Sequence, residues 1–330
     1  MKILIATGIY PPDIGGPAQY AFNLEQEFIR LGHEVKVIKF SAVRRLPSFI
    51  RHLVYFFKIL FVLPRANFVL VLDTFSVALP AVVASKLFNK KVIIRTGGDF
   101  LWESYVERTG DLVLLRNFYQ TTRHDWNLKE KIIFKLTRWI LNRASTVVFS
   151  TDWQRQIWRE PYQLNLTKTK IIENYCGGKE ASVAPTVKNF VGGTRQLKWK
   201  NLDILQRAFA RAREKNPELI LDLETLPYDK FLEKIKSCYA VILVSLGDIS
   251  PNLILDALRY NKPFILSHEN GLFERLKEVA IFVDPNNSDD IETKIKWLAD
   301  EKNYEIIKEK IKNFNFTHLW SDIAHEFLEL

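Results

Sequence analysis

Two aspartates, Asp248 and Asp256, frame the segment from Ser245 to Leu258. The run reads as a buried strand ending at Ser245, a short turn, and a helix with Ser250 as its N-cap and Pro251 in its first turn. A helix that starts this way offers the N–H groups of Asn252 and Leu253, and its dipole, to an anion. Along a helix, the spacing of the two acids corresponds to about 12 Å with an offset of roughly 80°. Two such carboxylates can hold the polyhydroxyl ends of an extended ligand, with a diphosphate between them. A capping turn with a solvated aspartate is the plain alternative.

A second segment, Phe190 to Asn201, reads as a strand, a glycine turn at Gly192-Gly193, and then Arg195 and Lys200 ahead of a helix. Arginine presents a rigid fork to phosphate oxygens and lysine a mobile point charge, so this pair could clamp a diphosphate. A solvated basic loop would look the same. Three further loops follow strands. Gly15 and Gly16 can let a backbone approach a ligand closely and open a helix, or form an ordinary turn. In Gly97-Gly98-Asp99 the acid could face a sugar-lined cleft or cap the next helix. Asn270, Gly271 and Leu272 read as a surface turn.

These loops need a scaffold that brings strand ends together. Short apolar runs at 2–7, 34–40, 68–73, 91–96 and 146–150 alternate with helical patterns at 18–31, 46–63, 77–88 and 128–142. The pattern restarts after a connection ending near Pro185. Strands are expected at 189–192, 219–224, 240–245, 263–267 and 280–284, and helices at 202–215, 228–237, 251–260 and 288–300. A last helix is expected over 321–330. Strand–helix alternation with continuously apolar strands predicts parallel sheets covered on both faces. The expectation is α/β, with two Rossmann-like doubly wound domains facing across a cleft. Residues 1–175 and 186–305 would form the domains, and 306–330 C-terminal helices that return to the first.

The order of these motifs resembles the retaining glycosyltransferases of family 4, which have the GT-B fold. Their signature carries two glutamates at the spacing of Asp248 and Asp256, often with Pro-Asn between them, as in Pro251-Asn252. The resemblance implies that Asp248 contacts the donor sugar and Asp256 the ribose. It places Arg195, Lys200, Asn252, Leu253 and the Gly15-Gly16 loop at the donor diphosphate, and Asn270, Gly271 and Leu272 beside the donor sugar or lining the cleft. Asp99 falls in a Gly-Asp-x-x-Trp-Glu run similar to one in a bacterial subset, and becomes the acceptor-side candidate. Both signature acids are one methylene shorter here, the histidine many relatives carry near Asp99 is absent, and a strand–helix unit between Leu219 and Ala240 is trimmed. The implied activity is transfer of a hexosyl group from a nucleotide-sugar to a glycan or glycolipid acceptor, with retention and without a metal. A non-catalytic binding or scaffold subunit on the same fold is the first rival. An epimerase or dehydrogenase is the second, but strand one lacks the glycine fingerprint it requires.

Composition narrows the field further. The 330 residues carry a formal net charge of +9, which suits an anionic partner. The basic residues are spread along the chain, so no nucleic-acid arm is expected. There is no Walker A, HExxH, GxSxG or Asp-x-Asp motif. No cofactor is expected, the nucleotide-sugar being a substrate. Cys176 and Cys238 lack zinc-type spacing and read as buried structural thiols in a reducing cytoplasm. The N-terminus reads as a first strand rather than a signal peptide. No apolar run reaches the roughly 18 residues that span a bilayer. The helical pattern at 46–63 has apolar residues at Leu46, Phe49, Ile50, Leu53, Phe57, Leu60 and Phe61, with cations around them. Packing onto a sheet is its commoner use. Peripheral membrane contact through 44–65 is the other, and would place the protein at the inner face of the membrane.

Overall fold

The computed structural model describes residues 1–330 apart from Ile14, Thr194, Arg195 and the side chain of Ser48. In chain order the first half contains β1 (Lys2–Thr7), α1 (Gly16–Arg30), β2 (Glu34–Lys39), α2 (Ser48–Val62), β3 (Phe68–Leu72), α3 (Ala78–Leu87) and β4 (Lys91–Arg95). There follow α4 (Phe100–Thr109), α5 (Leu115–Thr121), α6 (Leu128–Arg143), β5 (Thr146–Phe149), α7 (Asp152–Arg159) and β6 (Thr169–Ile171). The second half contains β7 (Lys188–Gly192), α8 (Leu202–Lys215), β8 (Leu219–Asp222), α9 (Tyr228–Ser237), β9 (Ala240–Leu243), α10 (Asn252–Arg259) and β10 (Phe264–Ser267). It ends with α11 (Phe273–Leu276), β11 (Ile281–Val283), α12 (Ser288–Ala299), α13 (Glu301–Asn313) and α14 (Trp320–Leu328).

The strands form two parallel sheets, a six-stranded one ordered β2-β1-β3-β4-β5-β6 and a five-stranded one ordered β11-β10-β9-β7-β8. Both are doubly wound. In each, the chain goes outward from its first strand on one side, then returns and builds on the other. The switch points therefore lie between β1 and β3 and between β7 and β9, where open α/β sheets receive ligands outside the strands' carboxyl ends. The central strands are apolar and covered along most of their length; Phe190, Val191, Ala240, Val241 and Ile242 are all 0 % exposed. The helices are started by local chemistry. Asn127 and Glu130 form a capping box on α6, and the side chains of Asn287 and Asp300 cap α12 and α13.

By contact, Met1–Leu101, Asp125–Tyr175 and Leu319–Leu330 form one compact unit, and Trp102–His124 with Cys176–His318 form the other. The stretch 102–124, grouped with the first 175 residues in the sequence, thus belongs with the second unit. Its helices α4 and α5, like α7 and α11, have no counterpart among the sequence-derived elements, and β6 was read only as a lead-in to the connection.

The 46–63 segment meets the sequence's preferred reading, packing onto the sheet, through only one of its faces. Its helix α2 packs through Tyr55 and Ile59, both 0 % exposed, with the Tyr55 hydroxyl donating to the Ile38 carbonyl at 2.8 Å. Five apolar residues do not cover the sheet: Phe49 and Phe61 are 80 % exposed, and Ile50, Leu53 and Phe57 nearly half exposed. The helix is apolar on two faces, and only one of them can turn inward.

Candidate functional site

The second unit concentrates sequence-derived residues at the carboxyl ends of β7, β9 and β10. After β7, a short turn at Lys198–Lys200 leads to Asn201, which adopts left-handed geometry (φ 60°) as it opens α8. The buried Asn201 amide donates to the Val244 carbonyl at 3.2 Å and the Pro285 carbonyl at 2.7 Å, tying this turn to the loops after β9 and β11. The Leu246 amide donates to the Trp199 carbonyl at 2.9 Å. An asparagine suits this place because it tolerates left-handed geometry and brings two donors of its own.

These ties set Lys200 opposite Asp248. The lysine Nζ lies 2.9 Å from Oδ2 and 3.2 Å from Oδ1 of the aspartate, and 4.3 Å from the centroid of the Trp199 ring. The pair is largely desolvated, with side chains 11 % and 15 % exposed. In such surroundings the attraction is strong, but much of it offsets lost hydration. Removing either partner would strand the other charge.

Asp248 is held from the far side by the loop after β10. Its amide donates to the Glu269 carbonyl and its carbonyl accepts from the Gly271 amide, both at 2.9 Å. Asn270, 1 % exposed, donates to the Ser267 carbonyl at 2.7 Å and accepts from the Leu272 amide at 2.8 Å. This is a buried, internally bonded turn rather than a surface one. Lys200, Asp248, Asn270, Gly271 and Leu272 are therefore linked by hydrogen bonds.

Glu269, which no sequence motif singled out, is central to this arrangement. It is 1 % exposed, and its carboxylate meets Arg116 Nε at 2.7 Å and His268 Nε2 at 3.1 Å. Burial raises its pKa and the Arg116 guanidinium opposes the rise. Arg116 arrives on α5, a segment remote in sequence, so no local pattern could signal the pair.

The start of α10 departs from expectation. Pro251, not Ser250, is the capping residue, with φ −72° and ψ 95°, and no side chain caps the helix. The proline ring sets φ, but its extended ψ delays the first helical residue to Asn252. Ser250 is thus not an N-cap; its hydroxyl and that of Ser245 are buried without a hydrogen-bond partner among the described residues. The amides of Asn252 and Leu253 open the helix as expected. Asp256, a half-buried residue further along α10, accepts from the Tyr228 hydroxyl at 3.3 Å, and burial pushes its carboxyl up to about 7. No hydrogen bond among the described residues joins it to the Lys200–Asp248 pair. Arg195 lies outside the described residues.

Gly15, Gly16 and Asp99 belong to the first unit. Gly15 takes φ +146°, open to glycine but not to other L residues, and Gly16 begins α1 there. Asp99 is 1 % exposed and accepts from Trp158 Nε1 at 2.7 Å, while Gln154 donates to the Gly97 carbonyl at 3.0 Å. The Asp99 carboxyl is thus turned into the protein against Trp158, and Gln154 is the side chain that holds the Gly97 carbonyl.

Solved structures share this architecture along the whole chain. HepE from Anabaena in complex with UDP aligns over 100 % of this chain and 99 % of its own, with a TM-score of 0.67 and 13 % identity. Sucrose-phosphate synthase from Thermosynechococcus elongatus aligns over 99 % and 97 %, with a TM-score of 0.72 and 11 % identity. The fold is GT-B. The lipopolysaccharide outer core galactosyltransferase WaaB aligns over the full length of both chains, with a TM-score of 0.66 and 16 % identity. No family model matches the sequence, and no curated protein does. In this GT-B chain, the switch point of the second sheet holds the Lys200–Asp248 pair, a buried turn beside it, and a helix start four residues beyond Asp248.

Proposed function

We propose that this chain is a glycosyltransferase that moves a hexosyl group from a nucleotide-sugar to a glycan or glycolipid acceptor, with retention of configuration and without a metal. The observation that carries the reading is the Lys200–Asp248 pair at the β7/β9 switch point. The GT-B fold supports it, as do neighbours that are glycosyltransferases, one of them in complex with UDP.

In this reading a diphosphate replaces Asp248 as the partner of Lys200, and Arg195 joins it. The positive charges meet the negative charge that develops on the departing diphosphate. Asp248, released from Lys200, accepts hydrogen bonds from donor-sugar hydroxyls, and the Asn270–Leu272 turn holds its backbone in register. The amides of Asn252 and Leu253 add donors on the phosphate side. Asp256 accepts from the ribose hydroxyls. Asp99, whose carboxylate accepts from Trp158 Nε1, serves as a positioning residue rather than as a group touching the acceptor.

A thermal-shift screen with UDP, GDP, ADP, dTDP and their sugars, followed by product analysis with the sugar that binds, tests this reading. One nucleotide class should raise the melting temperature, and its sugar should be transferred with retained anomeric configuration. Binding without transfer to any glycan or glycolipid acceptor would instead favour a binding subunit, and no shift with any donor would remove the reading.

A further inference from the structure

The exposed face of α2 has no role in the proposed chemistry, yet it is the most unusual surface of the first unit. Phe49, Leu53, Phe57 and Phe61 recur every fourth residue and share an arc of about 120°, with Phe49 and Phe61 80 % exposed. The neighbouring helix α3 also ends in exposed apolar residues. Lys90 Nζ donates to the Pro64 carbonyl at 3.1 Å and the Ala66 carbonyl at 2.7 Å, which sets the end of α3, with Leu87 66 % and Phe88 41 % exposed, beside the Phe61 end of α2.

Charge on this stretch has one sign. No Asp or Glu occurs from Val35 to Leu72, while Arg45, Lys58 and Arg65 are exposed along and beyond α2. No helix among the described residues is long and apolar enough to cross a membrane.

We propose that α2 lies in the interface of an anionic lipid bilayer, with its phenylalanines among the acyl chains and Arg45, Lys58 and Arg65 at the headgroups. A helix with large apolar residues on its outer face and cations around them combines the two attractions that hold a protein at such a surface. A second copy is the poorer occupant. A two-fold contact through this face would press like-charged surfaces together with no acid from Val35 to Leu72 to offset them. The inference does not rest on the glycosyltransferase reading and extends beyond it.

Co-sedimentation with vesicles tests it, using the full chain. Vesicles of equal parts phosphatidylglycerol and phosphatidylcholine should pull the protein down, and phosphatidylcholine alone should do so about tenfold less well. The double variant Phe49→Ser with Phe61→Ser should lose about tenfold or more in partitioning. The triple variant Arg45→Glu, Lys58→Glu and Arg65→Glu should lose the preference for anionic vesicles. All substituted side chains are exposed, so the melting temperature should stay that of the parent. Parent protein remaining in the supernatant, or partitioning that neither variant changes, would overturn the proposal. So would light scattering that shows a dimer dissociated by the phenylalanine substitutions.

Discussion

Lys200 and Asp248 form a contact that a ligand is well placed to divide. If a diphosphate takes the lysine, Lys200→Ala should weaken nucleotide affinity by about ten- to a hundredfold, the range for losing a charge-assisted hydrogen bond. Asp248→Asn should behave differently. It should leave affinity for the bare nucleoside diphosphate within a few-fold while lowering turnover by about a hundredfold or more, because its carboxylate meets the sugar. Steady-state kinetics beside calorimetry separates the two effects. Asp256 gives a prediction in pH. Burial holds its carboxyl near 7, above the unfolded value, so the neutral form is favoured in the folded protein. The stability this contributes is fully present below the unfolded pKa, about 4, and is lost as pH rises through about 7. Denaturation of the parent should therefore show a loss of stability between about pH 4 and 7 that Asp256→Asn lacks. Ribose hydroxyls favour the ionised acceptor, so nucleotide affinity should rise across the same window and become flatter in that variant.

At the scale of elements, the second unit depends on a segment that the sequence placed elsewhere. A Cβ on Gly247 would stand 2.6 Å from the Leu115 Cβ and 3.2 Å from the Trp102 ring. The Asp248 loop and the α4–α5 segment can pack this closely only because residue 247 is glycine. Gly247→Ala should therefore cost about 1–3 kcal/mol by overpacking, read as a fall in the urea midpoint. The loops' strand ends were legible because buried parallel strands leave continuous β-branched runs, and α8 and α9 were legible because their apolar spacing and boundaries are local. What was not legible depends on distant partners. Asn201, Glu269 and Arg116 form their contacts across several loops, and α4 and α5 have too little periodicity to stand out. Ser250 has the composition of a cap, but the geometry of Pro251 decided the helix start. On α2 the apolar pattern was clear in the sequence, but its direction was not: an apolar periodicity does not state which side of a helix faces protein.

Across the whole molecule, the restart of the strand–helix pattern near residue 186 marked two doubly wound units, and both sheets bear that out. Both cysteines are buried, and burial pushes the Cys238 thiol up to about 12, so it stays protonated and unreactive. A ligand that binds only the folded chain stabilises it by mass action, by about 2.7 kcal/mol at a hundredfold excess over Kd. The same ligand gives the most direct measurement of the central claim. Isothermal titration of the nucleoside diphosphate chosen by the thermal screen should be run on the parent, on Lys200→Ala, and on Lys198→Ala as the control. Lys198 belongs to the same turn, but its Nζ is held at 3.0 Å by the Glu107 carbonyl. The account expects a saturable isotherm that Lys200→Ala weakens by about tenfold or more and Lys198→Ala leaves nearly unchanged. Equal affinity in the parent and Lys200→Ala would contradict it.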